Sequence, residues 1–421
     1  MNPGSTLQIS STSATPAISN ASLITLSSGA TLDLAGYFTS NALGNLSNNG
    51  ATTLIDGIFD AQKGALTLGS GSLLNAVVLD GQIRNAGIQP NGSLTIVGTN
   101  ASLENDTFEG PVNVTATSVD LTLFQNVILT NANQSGIINV SGQSDTLRFS
   151  NELPVLPATG QTFDNVVVNI GNGTSADIIA PTFANGTFTI GTNADIISSA
   201  QGALAALNVG ATTTVVLNGT LNAIANSGTF TVAGGSKSAF SNNGMMVVGN
   251  GDTLSVASAI AAGTATIEIA TAGVANFATT VAAGQTLAFT GSTGVLALQA
   301  PTSIAAVISG LGTGDTIDLA DIAATKALWS AGSPGSLALT NSGTAVATLS
   351  ILGDYSNDVF VVTGNGPSGT TITITPMCFA AGTRILVPAG ELAIEDLRPG
   401  EPGSYGIRED SADTVDWATT R

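Results

Sequence analysis

One thiol, no imidazole and a thin scatter of carboxylates and bases are the reactive side chains this chain offers. Cys378 is the only cysteine in 421 residues, histidine is absent, and nine Lys and Arg stand against 28 Asp and Glu. A thiol attacks as its thiolate, and a free pKa of about 8.5 leaves only a few per cent ionised at neutral pH. Cys378 therefore becomes a useful nucleophile only if neighbours activate it and protonate the leaving group. Asp315, Asp318 and Asp321 recur at three-residue spacing, and clustered oxygen ligands are what a hard cation such as calcium takes. The tandem GGxGxD pattern of calcium-binding rolls is missing. The three are read as solvated turn aspartates around a buried pair, Ile317 and Leu319, with calcium as the weaker alternative and no other cofactor expected. Without histidine, the commonest general base and neutral metal ligand are both missing, which excludes most hydrolase triads and zinc sites.

Cleavage of polysaccharides remains a rival chemistry. It needs paired carboxylates, or a base beside carboxylates. Up to residue 283 the only basic residues are Lys63, Arg84, Arg148 and Lys237, well scattered. The mark of such an enzyme would be one of them gathered with Asp56, Asp60 or Asp80 in one groove.

The elements that must position these groups are built from small side chains. Fifty glycines, 9% charged and 5% aromatic residues, and a mean hydropathy of +0.37 describe a chain that buries a thin, repetitive core and is too apolar for intrinsic disorder. A net charge of −19 repels nucleic acid and anionic membranes. One cysteine permits no internal disulfide, which leaves the redox compartment open. The N-terminus MNPGSTLQISSTSATPAIS has neither the basic nor the apolar region of a secretory signal. The most apolar stretch, AIAAGTATIEIATAGVANFATTVAAG, is broken by Gly, Thr, Asn and Glu268. It falls short of the roughly 20 continuous apolar residues of a membrane span, so no transmembrane helix is expected.

Residues 1–283 repeat one theme: a Gly or Asn turn, a short alternating strand, another turn. GATLDLAG (29–36), NGTFTIGTNADI (185–196) and NSGTFTVAGG (226–235) are three copies. Apolar residues fall two apart with Thr between, as Phe188 and Ile190 or Phe230 and Val232 do, giving each strand one buried and one hydroxyl-bearing face. Irregular spacing between turns, small residues and no aromatic blade signature favour a solenoid over a propeller. The expected fold is all-β, a right-handed parallel β-helix. Recurring Asn residues either form hydrogen-bonded ladders between coils or occupy turns that need positive φ, while Phe and Ile stack inside. The region resembles the glycine- and asparagine-rich β-helical passengers of bacterial surface and secreted proteins, autotransporters and filamentous-haemagglutinin-like adhesins among them.

At 284 the texture changes. TGSTGVLALQAP followed by ISGLGTGDTIDLADI resembles a module that closes such repeats in bacterial surface proteins, and 284–376 is assigned to it. After Pro376 the charge density rises: four of the nine basic residues lie in 378–421. There CFAAGTRILVPAGELAIEDLRPGE resembles the opening block of hedgehog/intein (Hint) domains. The matching positions are Cys378 and Phe379, Gly382 and Thr383, Ile385, a turn at Ala389 and Gly390, and Ile394, Glu395, Asp396 and Leu397 with the following RPG.

The resemblance implies that the Cys378 thiol attacks the Met377 carbonyl, converting the Met377–Cys378 peptide bond to a thioester. The family's second block, with its histidine, has no counterpart here, and only 20 residues follow Glu401. Residues 377–421 are therefore expected to be a truncated Hint start with a disordered tail, and Cys378 a vestigial nucleophile. Taken together, the sequence predicts an exported or cell-surface bacterial β-solenoid of structural and adhesive function, whose partners are other cells, surfaces or its own copies. An autoprocessing Hint protein and a polysaccharide-active enzyme are the alternatives.

Overall fold

The computed structural model describes residues 1–10, 20–68, 74, 76–89, 94–124, 127–131, 134–150, 160–172, 175–183, 186–198, 200–210, 212–234, 239–249, 251–366, 369–376, 383–387, 390–393 and 406–407. The chain is all β, 59% strand and 2% helix, and winds into a β-solenoid of about 11 turns. It divides into two compact units, Met1–Asp354 with Phe360–Ile374, and Tyr355–Val359 with Thr375–Arg421. No described helix is long and apolar enough to cross a membrane.

In the first unit the alternating pattern becomes parallel strands stacked in register. On one face of the solenoid Leu221, Met246, Ile267, Leu287, Ile308 and Ile351 follow one another directly from coil to coil, all fully buried. On a second face Phe230, Leu254, Ala275, Leu296 and Ile317 do the same. A third runs from Phe188 through Val215 to Phe240 and continues as single bridges at Ile260, Val281 and Ile304. Parallel strands separated by about 4.8 Å put like residue over like, so the buried rows form one continuous apolar column. Aromatic rings gather where coils meet, with Phe149 and Phe188 centroids 4.5 Å apart and Phe149 and Phe163 4.7 Å apart.

Coil length varies while the strands hold register. Leu94 sits over Val112, but Gly136 sits over Val166, so coils of different length share one register. Some corners are too tight for any side chain. A Cβ on Gly57 would lie 2.0 Å from the Gly36 carbonyl oxygen, and one on Gly81 2.1 Å from that of Gly57. This column of backbone packed on backbone accounts for part of the glycine content.

Asparagine fills both expected roles, at different places. Asn139 donates to Asn113, and Asn169 to Asn139, each at 2.9 Å, an amide ladder on outward strand positions. Asn85, Asn105, Asn165 and Asn226 instead take φ between 53° and 63°, the left-handed region that asparagine tolerates in turns.

Parallel register continues across residues 283 and 284, through Gln285–Phe289, Val295–Leu298, Val307–Ser309 and Thr316–Leu319. The change of texture at 284 is thus internal to the coil stack. Beyond it the strand direction reverses. Gly369–Pro376 pairs antiparallel with Thr316–Leu319. Thr344–Leu352 pairs parallel with Val307–Ser309 and antiparallel with Gly335–Asn341, which in turn pairs antiparallel with Lys326–Ser330. The second unit holds an antiparallel hairpin, Arg384–Val387 with Gly390–Ala393, braced by an Arg384–Glu391 ion pair at 3.3 Å. The expected tail contributes a two-residue strand, Gly406–Ile407, to the free side of Arg384–Val387.

Candidate functional site

The expected Hint positions Met377, Cys378, Phe379, Gly382, Ile394, Glu395, Asp396 and Leu397 lie outside the described residues. Thr383 is half-buried, and Ile385 pairs with Leu392 and Ile407.

The three spaced aspartates do not converge, because alternation and turn geometry send them to different places. Asp315 is buried, 1% exposed, which corrects its reading as solvated: its carboxylate accepts the Gly294 and Gly312 amides, both at 2.9 Å. Asp318 points outward and accepts the Asn365 amide at 3.0 Å. Asp321 is exposed with φ at 55°. Ile317 and Leu319 are fully buried. Among the described residues no group of three or more Cys, Asp or Glu is placed to hold a metal ion.

Two of the scattered bases meet a carboxylate, and one of them, Arg84, meets Asp60. Tyr37, Asp60 and Arg84 come from three successive coils whose strands stack Tyr37–Thr39 on Ile58–Asp60 on Gln82–Arg84. Arg84 Nε donates to Asp60 at 3.0 Å, the Tyr37 hydroxyl donates to the same oxygen at 3.0 Å, and the guanidinium lies 5.2 Å from the Tyr37 ring centre. The other Asp60 oxygen takes the Gln62 amide at 2.9 Å and Asn85 at 3.2 Å. Burial alone would raise the Asp60 pKa, but these four donors together hold it below the ordinary value. Burial likewise opposes the Arg84 charge, yet Tyr37 and Asp60 raise its pKa. An arginine held protonated is no base, and a carboxylate with every oxygen engaged is no free nucleophile. The cluster is a clamp across three coils.

Beside it, the corner turns form an open depression of about 480 Å³ lined by Lys63, Asn85, Ala86, Gly87, Asn105 and Thr107. An ammonium, two amides and a hydroxyl can hold a polar ligand, but this lining has no carboxylate for hydrolysis. Arg148 is paired with Asp120 at 3.0 Å, and Lys237 lies outside the described residues.

The feature that sequence reasoning missed is a series of aspartates fully buried at corners. Asp106 accepts the Ala86 and Glu104 amides at 2.7 and 3.0 Å. Asp145 accepts Val119 at 3.0 Å, and Asp177 accepts the amide of Asp145 itself at 3.0 Å. Asp252 accepts Ala225, and Gly228 at 2.7 Å. With Asp315, each is 0 or 1% exposed, and each reaches back to the coil before its own. Burial raises the Asp106 pKa to about 8 against its two amides, and the charges of Glu104 and Asp60 add to the shift. Burial raises Asp177 to about 6, with Asp145 adding repulsion, and Asp145 is raised by burial as well. A signal was present: Asp followed by Thr or Ile and then an apolar residue, in DTF, DTL, DII, DTL and DTI.

No protein-family model, curated protein or solved structure matches the chain.

Proposed function

We propose that the chain is the structural and adhesive part of an exported or cell-surface protein, working through the repetitive outer faces of its solenoid. The observation that carries this reading is a pair of outward rows in strict coil-to-coil register. One comprises Thr229, Thr253, Val274, Val295 and Thr316, the other Thr231, Ser255, Asn276, Ala297 and Asp318. Small side chains repeated at the strand spacing make a flat face that offers the same weak contact many times, and multiplicity turns weak contacts into firm attachment. The charged groups nearest to an enzyme's, Asp60 and Arg84, are spent on each other.

Beads coated with the chain are expected to be retained under flow on bacterial lawns or glass better than albumin-coated beads. Replacing Thr229, Thr253 and Thr316 together by Glu should reduce that retention severalfold while leaving the β circular-dichroism spectrum intact. Retention equal to albumin on every surface sinks the adhesive reading. The second unit fits this reading as an inert Hint remnant.

A further inference from the structure

Arg84, Arg148 and Arg384 are each paired with a carboxylate, while Lys63 and Lys326 make no ion pair among the described residues. Lys63 is exposed at a corner of the solenoid and lines the depression of about 480 Å³. Its φ is 65°, and Asn85 and Asn105 take 54° and 53° at the corners of the next two coils. The Lys63 amide donates to the Asn85 carbonyl at 2.8 Å, and the Asn85 amide to the Glu104 carbonyl at 2.9 Å, so the three corners are stacked. Asparagine adopts this left-handed region readily and lysine seldom does. The uncommon choice puts a cation where the next two coils put an amide.

The strands leaving these corners, Ala65–Thr67, Gly87–Gln89 and Thr107–Glu109, stack with Gly87 between Ala65 and Thr107. Unlike Gly57 and Gly81, Gly87 is not demanded by packing, since a Cβ there would meet only the Gly64 carbonyl oxygen, at 3.8 Å. Its φ is not left-handed either. What glycine supplies at this position is open space, and that space belongs to the depression. The carboxylates around the corner do not pair with Lys63. Asp60 is held by Arg84 at 3.0 Å, and Glu104 accepts from Gln82 at 3.1 Å. Asp106 is fully buried, and burial raises its pKa to about 8, which leaves it uncharged at neutral pH.

From the unpaired ammonium, the amides and hydroxyl beside it and the space over Gly87, we infer that the depression binds an acidic saccharide. A uronate carboxylate pairs with Lys63, and sugar hydroxyls bond to Asn85, Asn105 and Thr107. Asn85 already donates its side-chain N–H to Asp60 at 3.2 Å, which leaves its side-chain oxygen to accept from a sugar. The volume falls within the roughly 300–1,000 Å³ of small-molecule sites. A phosphate group fits less well, because it is held by free backbone N–H groups or by arginine forks. Here the amides of Lys63, Asn85, Ala86, Gly87 and Thr107 are all bonded within the chain, and Arg84 is turned to Asp60. A lone ammonium among amides and a hydroxyl suits one carboxylate on a ring of hydroxyls. No carboxylate lines the depression, so the saccharide is held and not cleaved. The site lies apart from the rows of Thr229 and Thr231, and the inference does not depend on the adhesive reading.

Titration calorimetry of the full chain with the trisaccharide of glucuronic acid, at neutral pH and low salt, tests it. One site with a Kd below about 1 mM is expected from one ion pair and a few hydrogen bonds. Cellotriose carries hydroxymethyl groups in place of the carboxylates and should bind at least about tenfold more weakly. Lys63→Gln should weaken binding of the acidic trisaccharide by a similar factor. Gly87→Val fills the depression and should abolish binding with an unchanged β circular-dichroism spectrum. Lys326→Gln removes the other unpaired ammonium and should leave the Kd unchanged. A wild type that does not bind the acidic trisaccharide overturns the inference, and so does cellotriose or inorganic sulfate bound as tightly. A loss in Lys326→Gln equal to that in Lys63→Gln overturns the placement at this corner.

Discussion

The backbone amide of Asp145 donates to the carboxylate of Asp177 at 3.0 Å, so one buried aspartate hangs from the next, a coil further on. Their pKa values, like that of Asp106, are raised by burial. The folded chain keeps protons on Asp106 and Asp177 at pH values where the unfolded chain, with Asp near 3.9, has lost them. The contribution of these two groups is then fully present below about pH 4 and is lost as pH rises through 6 and towards 8, by about 1.4 kcal/mol per pH unit for each proton retained. The melting temperature should fall steadily from pH 5 to 8, and Asp106→Asn should flatten the stretch from 6 to 8, above the Asp177 transition. A melting temperature that rises over this range counts against the account.

Asp252→Ala leaves the buried amides of Ala225 and Gly228 without their acceptor. At about 1–3 kcal/mol for each orphaned group, denaturant unfolding should show a loss of several kcal/mol. Asp318→Ala, on the outer face, should cost less than about 1 kcal/mol. Equal costs would mean that burial of the carboxylate is irrelevant.

Gly57→Ala drives a methyl group to within 2.0 Å of the Gly36 carbonyl oxygen, and backbone must move to admit it. Overpacking of this kind costs about 1–3 kcal/mol. Gly343→Ala meets no steric obstacle but takes φ at 85°, so its cost should come from backbone strain alone. Comparing the two by chemical denaturation separates steric contact from conformation.

Phe188 is fully buried and packs against Phe149, Phe163 and Phe183. Phe188→Ala should destabilise the chain by about 3–5 kcal/mol, while Phe188→Leu should retain most of the stability. A loss below about 1 kcal/mol would mean that the ring cluster closes over the gap.

Incubation with excess thiol at about pH 8 should leave a single intact mass, as an inert Cys378 requires. A fragment ending at Met377 would make autoprocessing the leading chemistry.

The coil architecture was legible because one strand pattern serves every copy. Thr between Phe188 and Ile190 marks an outward position wherever the motif recurs, and parallel stacking converts that periodicity into columns. The buried aspartates were less legible because Asp beside Thr and Gly reads first as a solvated turn. Asp315 shows why: one amide partner, Gly312, is local to the turn, but the other, Gly294, is set by coil length, which varies from turn to turn. The clamp of Tyr37, Asp60 and Arg84 was hidden for the same reason. Asp60 lies 23 positions from Tyr37 and 24 from Arg84 along the chain, and the three meet only once the register is fixed.

The direction of the aspartate bonds bears on how the solenoid is made. Asp106, Asp145, Asp177, Asp252 and Asp315 all accept from the coil before their own, never from the one after. A polypeptide released N-terminus first, from a ribosome or through an export pore, therefore carries at each of these corners amides whose acceptor has not yet emerged. Each of these corners is completed only when the next coil delivers its aspartate.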